Sequence, residues 1–520
     1  MVGHIASALA VLGLCLSLTH AAHILAVFSY SFPAPFLLVA PYMKALVQNG
    51  HQLTIVSSYN HLEDIEGVRH IRIKLMDQLL NDLLDFDFEG TYPLSKWGKS
   101  SIISTFFRNS SYYILSDPKV QGLLRDPNEH FDMIIVQASH TDALYGFAQH
   151  FKAPLVGLSA YGTAWNIDYL AGNKAPSVYE PMQPEGYSNG ISMFDRFTNW
   201  VYITEEWLID SMVFLPKQVH LYKHFFNRPA ESLYEIRHNF SLMLINHHFS
   251  LGRARSNVPN VIEIAGMHMN GFIEDLEPEL QRFMDEAVDG VIYFSMGLEI
   301  VNKWLPPHML KILEEAFEQL PWHIIWKSEL ENPIHKSDKI YMKQMLPQRK
   351  LLSHPNLKLF ITHGGILSII EAAFSGVPMI CVPMYYDQFG NAERMRQAGV
   401  AQVLDIGTMT VESTLQAIKE VIENPTYAQK AKQMATRLRD QPMTPLETAV
   451  WWTEYVIRHK GAPHMRLSDQ DISFMQYYSL DIISMLFGRI GLSIILLSCF
   501  SVKLFKLLKK PFQMRLYHIP

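Results

Sequence analysis

Cysteine is nearly absent from this chain. Its 520 residues hold three, Cys15, Cys381 and Cys499, which fall near the start, in the body and near the end. No two share a predicted domain, so no intramolecular disulfide is expected. A chain of this length buries enough core to do without one. A one-sided charge is missing as well: 44 Lys and Arg stand against 50 Asp and Glu, a net charge of −6. Without the basic stripe that nucleic acid requires, no nucleic-acid partner is expected. The 23 His are scattered, and His247-His248 has no partner at ligand spacing, so no metal site is expected. Internal repeats and low-complexity segments are lacking too. With 48% hydrophobic and 18% charged residues the chain reads as globular, and its length implies several domains.

Long apolar runs occur only at the two ends. Residues 5–18 form the first, followed by Thr19-His20-Ala21, which fits a signal peptide (1–21) cleaved after Ala21. Residues 482–502 form the second, interrupted only by Arg489. About 20 apolar residues cross a bilayer, and Arg489 can snorkel toward an interface. Lys503, Lys506, Lys509, Lys510 and Arg515 follow, a cluster that belongs on the cytoplasmic side. The two ends together predict a single-pass type I membrane protein with a lumenal body. The sequons at Asn109 and Asn239 mark candidate glycosylation sites on that side.

Between the ends the pattern is α/β. Residues 23–28 read as a buried strand. A loop with Pro33 and Pro35 follows, then a helix over 37–47 that stops at Asn49-Gly50, then a strand over 53–56. This β-α-β unit seeds a doubly wound parallel sheet. A second series starts near Gly290, with strands at 291–294, 323–326, 357–361 and 379–382. Helices are predicted over 307–320, from 366, and over 388–398. Two Rossmann-like domains facing a cleft are therefore expected, joined near 265–289, with a helical insertion over 161–237.

The chemistry is concentrated between Leu346 and Gln388. His363-Gly364-Gly365 stands where a strand ends and a helix begins. Glycines there let an anionic group approach the backbone, and the helix N-terminus offers free N–H groups and a positive dipole end, suited to a diphosphate. His363 and Ser368 can donate to phosphate oxygens. Glu371, on the same helix face as Ser368, can accept both hydroxyls of a ribose. Asp387 and Gln388 follow the next strand, where α/β sheets bind ligands, and an acid–amide pair suits sugar hydroxyls.

This ordered set, with Leu346-Pro347-Gln348 ahead of it, resembles the signature of the UDP-glycosyltransferases, in the style of the animal, especially insect, membrane-bound members. The likeness extends over nearly the whole chain, through Ile245-Asn246, Pro259-Asn260-Val261, Gly266 and residues 458–464, to Tyr477-Tyr478 and Asp481. It implies the GT-B fold: an acceptor domain (22–275), a UDP-sugar domain (276–445), C-terminal helices returning to the first domain (446–480), a transmembrane helix (481–503) and a cytoplasmic basic tail (504–520). It implies inverting transfer of a hexose from UDP to a small lipophilic acceptor in the endoplasmic reticulum, without a metal or other cofactor. Glucose is the expected sugar, and homo- or hetero-oligomers are expected through membrane-proximal parts. Gln348 and Glu371 would hold the nucleoside, His363 and Ser368 the diphosphate, and Asp387 and Gln388 the sugar. Ser295 and Gly297 would line the donor site from the first strand of that domain.

Four positions depart from the family. Met345 stands where a Trp usually stacks on uracil, ahead of Leu346. Leu298 replaces a Ser after Ser295-Met296-Gly297. The position of the general-base His, counted back from His51, is Pro35, and no His lies between His23 and His51. Its carboxylate partner is replaced by Gln137. Three readings follow: acceptors such as amines that need no base; a substitute base, for which His140 and Asp142 stand nearest in sequence; or a UDP-sugar-binding protein or partner subunit without catalysis. Asp85-Phe86-Asp87 has the spacing of a metal-dependent transferase motif but sits in an acidic helix-like stretch. A single-span receptor has no need of a diphosphate cradle.

Overall fold

The computed structural model describes residues 21–30, 32–59, 65–84, 94–173, 192–252, 254–271, 274–298, 305–328, 337–385, 387–466 and 479–514. The signal-peptide residues up to 20, the Asp85-Phe86-Asp87 triplet and Tyr477-Tyr478 lie outside them.

Two parallel sheets organise the chain up to Arg466. The first holds β1 (His23–Val27), β2 (Gln52–Ser57), β3 (Val68–Arg72), β4 (Met133–Gln137), β5 (Leu155–Ser159), β6 (Phe240–Ile245) and β7 (Val261–Glu263). Their order is β3-β2-β1-β4-β5-β6-β7. The second holds β8 (Val291–Ser295), β9 (His323–Lys327), β10 (Ile340–Lys343), β11 (Leu357–Thr362), β12 (Met379–Cys381) and β13 (Ala401–Val403), in the order β10-β9-β8-β11-β12-β13. In each sheet the order reverses beside the first strand, at β1/β4 and at β8/β11. A crevice opens at such a switch point.

The strands are apolar throughout because helices cover both faces. In β1, Leu25 and Val27 enter one core while Ile24 and Ala26 enter the other. In β8, Val291 and Tyr293 part from Ile292 and Phe294 in the same way. The Pro445–His459 helix packs on the first sheet's core through Ala449, Val450 and Val456. It is tied there by Tyr42 Oη, 2.5 Å from Thr453 Oγ1.

The segment after β1 differs from expectation. The helix begins at Pro33 rather than near Leu37, so Pro33 and Pro35 lie in its first turn and not in a loop. Proline suits that place, since first-turn N–H groups have no intrahelical acceptor. The described residues of the predicted insertion hold helices at Trp165–Ala171, Met193–Ile209, Leu215–Phe226 and Ala230–Arg237. The Lys96–Ser116 helix was not legible in the sequence.

Residues 467–520 form a separate unit. Its helix, Leu480–Met514, contains a 29-residue stretch, Leu480–Leu508, with an 18-residue window of mean hydropathy 2.1. By length and composition that stretch can cross a membrane. The two described cysteines, Cys381 and Cys499, are both free thiols.

Candidate active site

A cleft of about 1660 Å3 opens at the carboxyl ends of both sheets. The loops after β1, β4 and β5 supply one wall, and those after β8, β11 and β12 the other.

On the second-sheet wall, His363 follows β11 and Gly365 caps the Ile366–Ser375 helix. The His363 ring is buried against two glycines. A β-carbon on Gly297 would stand 2.6 Å from its Cε1, and one on Gly365 would come closer still to Nε2. Gly364 has φ +85°, a backbone state that glycine enters freely. Burial, with the Lys327 charge adding, lowers His363 to about 4. At neutral pH the ring is therefore uncharged and can donate through one nitrogen only. Its Nδ1 lies 3.3 Å from Thr362 Oγ1, which leaves Nε2 for a ligand oxygen.

Gln348 organises the neighbouring subsite. Its Nε2 donates to Glu371 Oε2 at 2.8 Å and to Ser368 Oγ at 3.2 Å, while its Oε1 accepts from Tyr293 Oη at 3.1 Å. His268 Nε2 stands 3.4 Å from Glu371 Oε1. Glu371 is thus a buried carboxylate oriented from two sides, with acceptor capacity remaining for vicinal hydroxyls. Met345 is 61% exposed on the cleft rim, and Leu346 packs half-buried on the core beneath. Leu298 lines the same rim, and Ser295 Oγ accepts from the Gly297 N–H at 3.2 Å.

Asp387 stands at the start of the Gln388–Ala398 helix. Burial raises its carboxyl to about 6, against the pull of Asn391 and Arg394. Asn391 Nδ2 donates to Asp387 Oδ2 at 2.7 Å and to the Gly364 carbonyl at 3.1 Å, joining the two loops. Gln388 Oε1 accepts from the Met384 and Tyr385 N–H groups at 2.9 and 3.1 Å, so its amide NH2 is the end offered to a ligand.

The first-sheet wall is aromatic, with Tyr30, Phe32, Phe106, Phe107, Tyr161 and Phe214. Pro35 lines it, and Gln137 does not. Gln137 is buried, and its Oε1 accepts from the Tyr30 N–H at 3.1 Å, tying the ends of β4 and β1 together. His140 lines the cleft. Its Nδ1 lies 3.3 Å from Asp210 Oδ1, and Phe214 stacks on its ring at 3.9 Å. Asp142 does not pair with it. Asp142 Oδ1 lies 2.7 Å from Arg237 Nε, and Arg237 Nη2 donates to Asp210 Oδ2 at 2.7 Å. Sequence reading found His140 but missed Asp210 and Arg237, which lie on helices far along the chain. It also missed His268, Lys327 and Asn391.

His247 and His248 do not face each other across a metal site. His247 Nδ1 lies 3.2 Å from Glu263 Oε1. Among the described residues no three His, Cys, Asp or Glu side chains converge as metal ligands. Asn239 is exposed just before β6, but its Oδ1 accepts from Arg466 and the Ser241 hydroxyl of its sequon is buried. Asn109 lies half-buried within the Lys96–Ser116 helix, and the Ser111 hydroxyl of its sequon is buried against Gln218.

The sequence profile described as UDP-glucoronosyl and UDP-glucosyl transferase matches residues 42–513. This chain belongs to that family. It is 31% identical over 488 residues to UDP-glucosyltransferase 2 of Dactylopius coccus, covering 92% of each chain. It is 27% identical to human UDP-glucuronosyltransferase 2B15, covering 90% of this chain and 91% of that one. Solved glycosyltransferases share the fold. The spinosyn forosaminyltransferase SpnP superposes with a TM-score of 0.57 at 13% identity, over 84% of this chain and all of that one. VinC, solved with DTDP, gives 0.55 at 16% identity, over 84% of this chain and all of that one. The two-sheet architecture is the GT-B fold, and family membership makes the chain a glycosyltransferase that draws on a UDP-sugar.

Proposed function

We propose that the protein transfers a hexosyl group, glucose first among candidates, from its UDP derivative to a small lipophilic acceptor, with inversion and without a metal. The observation that carries this reading is a cleft with buried polar side chains of the second sheet on one wall and an aromatic surface on the other. His363, Ser368 and the N-terminus of the Ile366–Ser375 helix would hold the diphosphate. Gln348 and Glu371 would hold the nucleoside, and Asp387 and Gln388 the sugar hydroxyls. The acceptor heteroatom would attack the anomeric carbon from the aromatic side while the bond to UDP breaks on the cradle side. The helix dipole and the His363 donor would stabilise the charge developing on the departing diphosphate. We place the enzyme in the endoplasmic reticulum membrane, anchored by the Leu480–Leu508 stretch, with its body lumenal.

The test is UDP release from UDP-glucose by the full chain in detergent, with EDTA present, against matched phenol, thiol and amine acceptors. Turnover in EDTA supports the reading. Tight UDP binding without turnover on any acceptor would replace it with the second reading, a UDP-sugar-binding partner subunit, which Pro35 and Gln137 in place of the usual dyad favour.

A further inference from the structure

The reaction with a hydroxyl acceptor needs a proton acceptor on the aromatic wall, and neither Pro35 nor Gln137 can be one. Proline has no basic group, and the Gln137 amide oxygen is occupied by the Tyr30 N–H. His140 stands three positions after Gln137, at the same switch point. Its loop is held against the end of β1, with Thr141 Oγ1 3.3 Å from Ser29 Oγ and 2.9 Å from Ser139 Oγ.

The surroundings of His140 are those of a working base more than of a packing ring. Its side chain is 17% exposed, on the cleft. Phe107 and Phe214 hold it between the Lys96–Ser116 helix and the segment after Ile209. Asp210 lies at its Nδ1, which leaves Nε2 as the nitrogen available to an acceptor. Asp210 is nearly fully buried. Burial alone would raise its carboxyl, yet His140 and Arg237 outweigh that and hold it below the usual carboxylate range. Arg237 also faces Asp142, so two buried carboxylates share one guanidinium. His140 is the next cation open to Asp210 when the ring takes up a proton. A charged partner of this kind stabilises an imidazolium, which Gln137 cannot do.

We propose that His140, positioned by Asp210, is the general base for hydroxyl acceptors, in a dyad displaced from the Pro35/Gln137 positions to the loop after β4 and the start of the segment after Ile209. This rests on the transferase reading above. The acceptor O–H proton passes to His140 Nε2 as its oxygen bonds to the anomeric carbon. The bond from that carbon to the diphosphate oxygen breaks, and UDP leaves with the electron pair. His140 returns its proton to solvent when the products depart. A 3.3 Å contact is compatible with the role, because catalytic hydrogen bonds tighten in the reacting complex.

The experiment compares the full chain with His140→Gln, His140→Ala and Asp210→Asn, on phenol and amine acceptors, with UDP affinity measured for each. His140→Gln is expected to lower kcat on phenols by on the order of 10²–10⁴-fold. UDP affinity should be unchanged, and transfer to amines much less affected. Added imidazole is expected to restore part of the phenol activity of His140→Ala, which a packing role would not permit. Asp210→Asn should lower kcat with KM retained. Phenol transfer by His140→Gln at the parent rate overturns the dyad and leaves the transferase reading standing. So does parent turnover confined to amines and thiols. Absence of turnover by the parent on every acceptor, with UDP bound, overturns both.

Discussion

Gly297 lies so close to the His363 ring that a β-carbon on it would come within 2.6 Å of Cε1. Its φ is +84°, where alanine is strained. The residue after β8 therefore sets the position of the residue after β11, across the switch point. Gly297→Ala is expected to displace the imidazole and weaken UDP binding about tenfold or more, roughly 1.4 kcal/mol. Titration calorimetry with UDP checks this. An unchanged Kd would mean that His363 makes no contact with the diphosphate.

His363 and Asp387 make opposite contributions to acid stability. Burial lowers His363 from 6.5 to about 4, so its contribution is present above pH 6.5 and lost as pH falls toward 4. Burial raises Asp387 from 3.8 to about 6, so its contribution is present below 3.8 and lost as pH rises through 6. At neutral pH the cleft therefore holds a carboxylate it has to ionise at a cost. Asp387→Asn should stabilise the fold at pH 7.5 by on the order of 1–2 kcal/mol after allowance for partial exposure, seen as a higher Tm. The gain should vanish near pH 4, and sugar transfer should be lost. Thermal unfolding at the two pH values decides it, and a gain that persists at pH 4 would contradict the burial argument.

Gln348 touches Glu371, Ser368 and Tyr293 together. Gln348→Ala leaves the Tyr293 hydroxyl and one face of Glu371 without that partner. A lost hydrogen bond to a buried charged group is worth about 1.5–3 kcal/mol. UDP affinity should fall by about 10- to 100-fold, and uracil affinity much less if Glu371 serves the ribose. Equal losses for UDP and uracil would place the effect on the base instead.

The second-sheet wall of the cleft was legible because its signals are local. A strand run, His363-Gly364-Gly365, a helix and a second strand run follow one another without a break, and β11, the Ile366–Ser375 helix and β12 stand where that punctuation puts them. The Lys96–Ser116 helix was not legible, because Ser104, Ser110 and Ser111 are among the residues it buries. Buried serines make no apolar stripe, and their partners, Gln218 for Ser111 and the Ser29 carbonyl for Ser110, come from distant parts of the chain. The same limit hid the first-sheet wall of the cleft. His140 and Asp142 could both be named as substitute bases from their nearness to Gln137. The backbone turn after β4 directs Asp142 to Arg237, while folding brings Asp210 to the ring. Sequence proximity identified the loop, and only tertiary structure identified the pair.

Met345 is the remaining departure with a measurable consequence. It stands exposed on the rim above Leu346, at the position where the resemblance to the family implies a Trp stacked on uracil. A thioether covers an aromatic face less fully and loses more rotamer freedom on binding. Nothing described around the 61%-exposed side chain obliges a larger group to displace core, so Met345→Trp should be accommodated. The added ring contact is worth roughly 0.5–1.5 kcal/mol, and UDP should bind about 2- to 10-fold more tightly. The gain should be absent for inorganic diphosphate, which has no base to stack. Competition binding with the two ligands separates the effects. A matched gain for both would show that Trp acts on the cradle at large, and no gain for either would remove the base from this end of the cleft.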